Sequence, residues 1–219
     1  MQTKSLSLHH LIRPSSIKNK KPPVLFMLHG YGSDENDLFS FSGELSEDIC
    51  IISIRAPYAM QPYGNAWYAI NFDAEQGKWS DDEQAKISRD KIASFITEAC
   101  EAYDLNADNV SILGFSQGTI LSYAVALSYP EKVNRVVALS GYINENILVE
   151  NYKKNDFSTL KFYCSHGSED QVIPAEWAAK APAFLNKLEI ENIYEEFPVG
   201  HSVAPQNFYS LKKWLEGLI

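Results

Sequence analysis

Apolar runs at about residues 24–28, 49–55, 109–114, 135–140, 160–164 and 193–197 punctuate the chain, with helical spacing of apolar positions between them. Short continuous apolar runs that alternate with helices predict strands buried on both faces. That pattern is a mostly parallel sheet with helices on both sides, an α/β class of fold. The clearest helix opens on the capping-box sequence Ser80-Asp81-Asp82-Glu83 and sets Ile92, Phe95, Ile96, Ala99 and Tyr103 on one face. The last helix repeats the spacing with Phe208, Leu211, Leu215 and Leu218, and another helical pattern runs from Thr119 to Tyr129. Two stretches are not needed by the sheet. Tyr58 to Trp79 carries Tyr58, Met60, Tyr63, Trp67, Tyr68, Phe72 and Trp79 among prolines, glycines and asparagines. It is predicted as a long loop whose aromatics, Trp67 and Tyr68 foremost, wall an apolar substrate pocket. Ile143 to Ser158 is polar and charged.

Composition narrows the class. At 219 residues with no linker-like shift, the chain is expected to form a single domain over 1–219. A domain of this length buries roughly 70 to 75% of its unfolded surface and needs no disulfide. Cys50, Cys100 and Cys164 are odd in number, far apart and set in apolar runs, which predicts core thiols in a reducing compartment. No metal-ligand spacing occurs, and no G-x-G-x-x-G or Walker sequence follows a strand, so no metal and no other cofactor is expected. The first ten residues hold no long apolar segment and no stretch approaches a membrane span. A cytoplasmic protein without stable membrane insertion is the expectation. The net charge of −9 argues against nucleic acid as a partner and favours small neutral substrates.

The stretch that carries chemistry is Val110-Ser111-Ile112-Leu113-Gly114-Phe115-Ser116-Gln117-Gly118, an apolar run that breaks into G-x-S-x-G and continues as a helix. Strand, sharp turn and helix place Ser116 at the apex, with Gly114 and Gly118 leaving room for close backbone approach. A serine hydroxyl needs a general base, and the base needs an acid to fix its tautomer. Of five histidines, His9 and His10 lie in an N-terminal strand-like segment and are read as surface or packing residues. His29 and His166 each end a strand before a glycine and are read as turn braces. His201 lies in the loop between the last strand and the last helix, and is the candidate base. Asp170 falls in the turn after the strand near 160–164 and is the candidate acid. Glu169 is its nearest competitor, although a carboxylate one residue away points elsewhere, and Asp104, Asp108 and Asp156 read as solvated or capping residues. The order Ser116, Asp170, His201 is that of α/β-hydrolases, not of chymotrypsin-like or subtilisin-like proteases. Acyl transfer also needs donors for the tetrahedral oxyanion. The N–H of Gln117 is one by position, and the N–H of Tyr31, in the turn His29-Gly30-Tyr31-Gly32 after the first apolar run, is the other.

From about Pro23 onward the chain resembles the phospholipase/carboxylesterase family of small α/β-hydrolases, which includes acyl-protein thioesterases. The likeness rests on Leu28-His29-Gly30-Tyr31-Gly32, Ala66-Trp67-Tyr68, Gly114-Phe115-Ser116-Gln117-Gly118, His166-Gly167-Ser168-Glu169-Asp170-Gln171-Val172-Ile173-Pro174 and Gly200-His201. It is closer to the bacterial carboxylesterase branch. Many relatives carry a glycine where Thr119 stands, which should alter how the helix after Ser116 packs, and Ser33-Asp34 stands where thioesterases carry aspartate directly after the glycine turn. The resemblance implies Ser116 as nucleophile, Asp170 as acid, His201 as base, and Tyr31 and Gln117 as the oxyanion hole. It implies an α/β-hydrolase fold, here with no cap domain because the 143–158 stretch is too short to form one, and it admits a homodimer. The expected activity is hydrolysis of small-molecule carboxylic esters of short to medium acyl chain through an acyl-enzyme. An acyl thioesterase or lysophospholipase would use the same triad, and a non-catalytic binding protein on this fold is the alternative from another class.

Overall fold

The computed structural model describes residues 3–73 and 77–218, apart from the side chains of residues 72, 73, 78 and 79. Two of the aromatics named above, Phe72 and Trp79, thus lie outside the described side chains. Seven strands form one sheet: β1 (His10–Arg13), β2 (Val24–Leu28), β3 (Cys50–Ile54), β4 (Val110–Phe115), β5 (Arg135–Leu139), β6 (Lys161–Gly167) and β7 (Glu191–Phe197). Their spatial order is β1-β3-β2-β4-β5-β6-β7. All six apolar runs become strands, and neighbours among them pair in parallel. The N-terminal strand-like segment adds β1 as an antiparallel edge on β3. There His10 is buried, with Nε2 2.7 Å from the Tyr103 hydroxyl, while His9 is exposed.

Four main helices cover the sheet: α1 (Asp82–Tyr103), α2 (Gln117–Ser128), α3 (Ala181–Lys187) and α4 (Pro205–Glu216). Alternate strand residues face opposite sides. Phe26, Leu28, Ile52, Ile112 and Phe162 pack with α1, α2 and α3, while Leu25, Met27, Ile51, Leu113 and Leu139 pack with α4. In α1 the predicted residues Ile92, Phe95, Ile96, Ala99 and Tyr103 are all buried. Its cap lies one residue beyond the expected Ser80. Asp81 is the N-cap and accepts from the Gln84 N–H at 3.0 Å, because the hairpin ladder of Gly77–Ser80 continues one residue further, the Asp81 N–H donating to the Ala69 carbonyl at 2.9 Å. In α4, Leu211 and Leu215 are fully buried and Phe208 partly so; Leu218 lies past the helix end.

The stretch predicted as one long aromatic loop is instead two small antiparallel hairpins, Tyr58–Ala59 with Asn65–Ala66 and Ile70–Asp73 with Gly77–Ser80. The 143–158 stretch makes two single 3-10 turns, Glu145–Ile147 and Tyr152–Lys154, and no cap domain is evident among the described residues. Cys50, Cys100 and Cys164 are free and buried, and burial pushes their thiols up to about 11, 11 and 12 respectively. None of the helices is long and apolar enough to cross a membrane among the described residues. The sheet positions four segments at its carboxyl edge: the turn after β2, Ser116 after the central β4, Asp170 after β6 and His201 after β7. Open parallel sheets bind ligands at that edge.

Candidate active site

Ser116 sits between β4 and α2 with φ 54° and ψ −116°, a region that side chains other than glycine rarely adopt. The conformation is held from both sides, the Ser116 N–H donating to the Leu139 carbonyl at 2.9 Å and its carbonyl accepting from Ile120 at 3.1 Å. The two flanking glycines are needed for contact. A Cβ on Gly118 would collide with the Leu28 carbonyl of β2, and one on Gly114 would lie 2.6 Å from the Gly118 carbonyl. Every residue of α2 is buried, as an apolar central helix must be. Thr119 ties the start of the helix to β5: its hydroxyl donates to the Leu139 carbonyl at 2.6 Å and accepts from the Leu139 N–H at 3.0 Å. Its methyl lies against Gly141, where a Cβ would approach within 2.5 Å.

The turn after β6 buries the Asp170 side chain completely. Oδ2 accepts from His201 Nδ1 at 2.6 Å, and Oδ1 accepts from the N–H groups of Val172 at 2.8 Å and Ile173 at 2.9 Å. Burial opposes ionisation, but the bonds from His201, Ile173 and Val172 outweigh it and hold the Asp170 carboxyl below its ordinary range. Donation from Nδ1 leaves His201 Nε2 as the ring's free lone pair, the state a general base requires. The ring is part-exposed and rests 4.9 Å from Phe115. Glu169 is exposed, and Asp104, Asp108 and Asp156 lie on the surface away from these groups, Asp104 paired with Lys21 at 2.8 Å. His166 braces the turn as predicted, its fully buried ring placing Nε2 2.9 Å from the Ile173 carbonyl and 3.2 Å from Asp170 Oδ2.

His29 braces the other turn. Its Nδ1 donates to the Gly30 carbonyl at 2.7 Å and its Nε2 accepts from the Ala56 N–H at 3.0 Å, and burial lowers the pKa of the ring. Neither Tyr31 N–H nor Gln117 N–H meets an acceptor among the described residues. Gln117 has a second role that the sequence does not reveal. Its side-chain oxygen accepts from the Trp67 N–H and its amide donates to the Tyr68 carbonyl, both at 2.8 Å, tying the hairpin segment to the start of α2.

One cleft of about 760 Å³ is lined by Ser116, Gln117, His201, Tyr31 and Tyr68 together. Of the two aromatics expected at a pocket, Tyr68 lines this cleft and Trp67 does not. Trp67 is fully buried, its Nε1 donating to the His29 carbonyl at 2.9 Å and its ring packed 5.5 Å from His29. It is a prop beneath the glycine turn, and in the bend between the two hairpins only its neighbour Tyr68 reaches the cleft. Asp82, expected only as part of the helix capping box, and the loop residues Asn144 and Asn146 also line the cleft.

A doubly covered parallel sheet, a serine at the sharp turn after its central strand and an Asp–His pair on the next loops define an α/β-hydrolase. Within that class the chain belongs to the phospholipase/carboxylesterase family, whose sequence model matches residues 12–219. It is 26% identical over 222 residues to acyl-protein thioesterase 1 of Emericella nidulans, covering 91% of this chain and 92% of that one. It is 29% identical over 136 residues to the probable carboxylesterase SOBER1-like of Arabidopsis thaliana, covering 62% of this chain and about half, 52%, of that relative. The fold is similar to that of the Bacillus cereus carboxylesterase, with a TM-score of 0.82 at 16% identity over 97% of this chain and 95% of that one.

Proposed function

We propose that this chain is a carboxylesterase-type serine hydrolase, acting as one domain on small-molecule esters in the cytoplasm without a cofactor. The observation that carries the reading is the 2.6 Å bond from His201 to the buried Asp170, with His201 and Ser116 on the same cleft. His201 Nε2 takes the proton of the Ser116 hydroxyl as Oγ attacks the ester carbonyl. The oxyanion of the tetrahedral intermediate lies between the N–H groups of Tyr31 and Gln117, helped by the amino end of α2. Collapse expels the alcohol, which receives the proton from His201, and leaves an acyl-serine. Water then repeats the sequence, giving up a proton to His201 and releasing the acid. Asp170 holds the imidazole in the tautomer with a free Nε2 and stabilises the imidazolium formed in each half. A fluorophosphonate probe is expected to add once per chain, and intact-mass and peptide mapping should place the adduct on Ser116. Folded protein that takes up no probe would sink the reading.

The likeness to a fungal acyl-protein thioesterase over nearly the whole chain favours a second reading, the same machinery acting on thioesters. Acyl length separates the two. With no cap domain evident among the described residues, only the acyl carbons nearest Ser116 are desolvated, and each buried methylene contributes about 0.8 kcal/mol while there is wall to cover it. Values of kcat/KM for 4-nitrophenyl esters should rise from acetate to roughly butyrate or hexanoate and then flatten. Trp67→Ala, which removes the prop rather than wall, should lower turnover at every chain length. A preference of orders of magnitude for palmitoyl thioesters would replace the small-ester reading with the thioesterase one.

A further inference from the structure

The part of the cleft not used by the triad and the oxyanion donors has a chemistry of its own. Tyr68, Tyr142 and Trp177 line it, the last two with ring centroids 5.2 Å apart in an edge-on arrangement. Asp82 lines it too, on the first turn of α1, with Oδ1 accepting from Asn144 Nδ2 at 3.1 Å. That bond brings the carboxylate beside the segment that carries Tyr142. Burial first, and the Asp82 charge after it, push the Tyr142 phenol up; burial, Tyr142 and Asp82, in that order, do the same for Tyr68. The carboxylate field therefore reaches both rings. Among the described residues no lysine or arginine lines the cleft, and none forms an ion pair with Asp82.

Aromatic faces around a carboxylate attract cations and repel anions, most strongly a weakly hydrated cation that loses little on leaving water. The overall charge of −9 adds to the attraction at longer range. We infer that this wall is a subsite for a quaternary ammonium group, so that the preferred substrates are esters carrying such a group a few carbons from the scissile carbonyl. The inference rests on the esterase reading above and deepens it. Asp82 supplies the charge, Tyr142 and Trp177 supply the rings, and Asn144 orients the carboxylate.

Isosteric ester pairs test it. One pair is the butyrate esters of choline and of 3,3-dimethylbutanol, with the cation on the alcohol. The other is the 4-nitrophenyl esters of 4-(trimethylammonio)butanoate and of 5,5-dimethylhexanoate, with the cation on the acid. Within at least one pair the cationic ester should have kcat/KM about tenfold higher or more, chiefly through KM. Asp82→Asn, which keeps the bond from Asn144, should cut that ratio by about fivefold or more, and the ratio cancels any general loss of activity. Trp177→Leu, at an exposed position, should lower it as well and serves where the Asp82 variant folds poorly. Neutral members hydrolysed as well as the cationic ones in both pairs would overturn the subsite while leaving the esterase reading standing. A cation preference untouched by both variants would overturn it too, by placing the preference elsewhere. Hydrolysis of none of the four esters would instead remove the esterase reading, and this inference with it.

Discussion

Ser116→Ala and His201→Ala are each expected to lower ester turnover by about a million-fold, and the double variant by little more than either alone. On the proposed roles the serine oxygen attacks only while the imidazole takes its proton, so removing either partner removes the same step. What survives is the contribution of binding and of the proposed oxyanion donors, the backbone N–H groups of Tyr31 and Gln117, which neither substitution deletes. Ser116→Ala keeps a Cβ at φ 54°, so it adds no backbone strain beyond what the native residue already bears. His201 is part-exposed, so its loss empties no large core space. Thermal melts close to the parent, together with kcat/KM for the two single variants and the double, check the expectation. Losses that multiply would mean that His201 is not the base for Ser116.

The parts of the fold legible in the sequence are those where local composition and tertiary role coincide. Strands β2 to β6 read as mostly apolar runs because parallel strands inside a sheet are covered on both faces, whereas β7, at the sheet edge, carries Glu191, Glu195 and Glu196 and has no buried residue. The turns bearing Ser116, Asp170 and His201 are legible because each follows a strand and contains or adjoins glycine, and parallel order then brings all of them to one edge. The shifts lie where partners are distant. The α1 cap moves from Ser80 to Asp81 because the hairpin Ile70–Asp73 with Gly77–Ser80 also ties the Asp81 N–H to the Ala69 carbonyl, and a helix start by itself does not reveal a hairpin. Trp67 and Tyr68 are adjacent aromatics, alike in sequence. Their separation into prop and wall depends on the Gln117 amide and the His29 carbonyl, 50 and 38 positions away. Asp82 and Asn144 meet across 62 positions, and nothing local to either marks a cleft.

Asp170→Asn should lower kcat about ten-thousand-fold, a severe loss though smaller than that of His201→Ala, whereas Glu169→Gln should change turnover little. Asparagine fits the space and its oxygen still accepts from the Val172 and Ile173 N–H groups, which then turns its amide nitrogen toward His201 Nδ1. A donor there drives the imidazole proton to Nε2, the atom that has to receive the Ser116 proton, and no anion steadies the imidazolium. Glu169 is exposed and its side chain takes no part in this arrangement. Stability carries a second signature. Because the folded-state pKa of Asp170 is lowered, its carboxylate stabilises the fold above the unfolded value of about 3.9, and this contribution is lost as pH falls through the folded value. The asparagine variant has no such contribution, so the gap in melting temperature between it and the parent should be widest near neutral pH and narrow below about pH 4. Turnover at neutral pH and melts across the acid range check both parts. A severe Glu169→Gln with a mild Asp170→Asn would move the acid to Glu169, and a gap that stays constant with pH would mean that the Asp170 carboxyl is not held below its ordinary range.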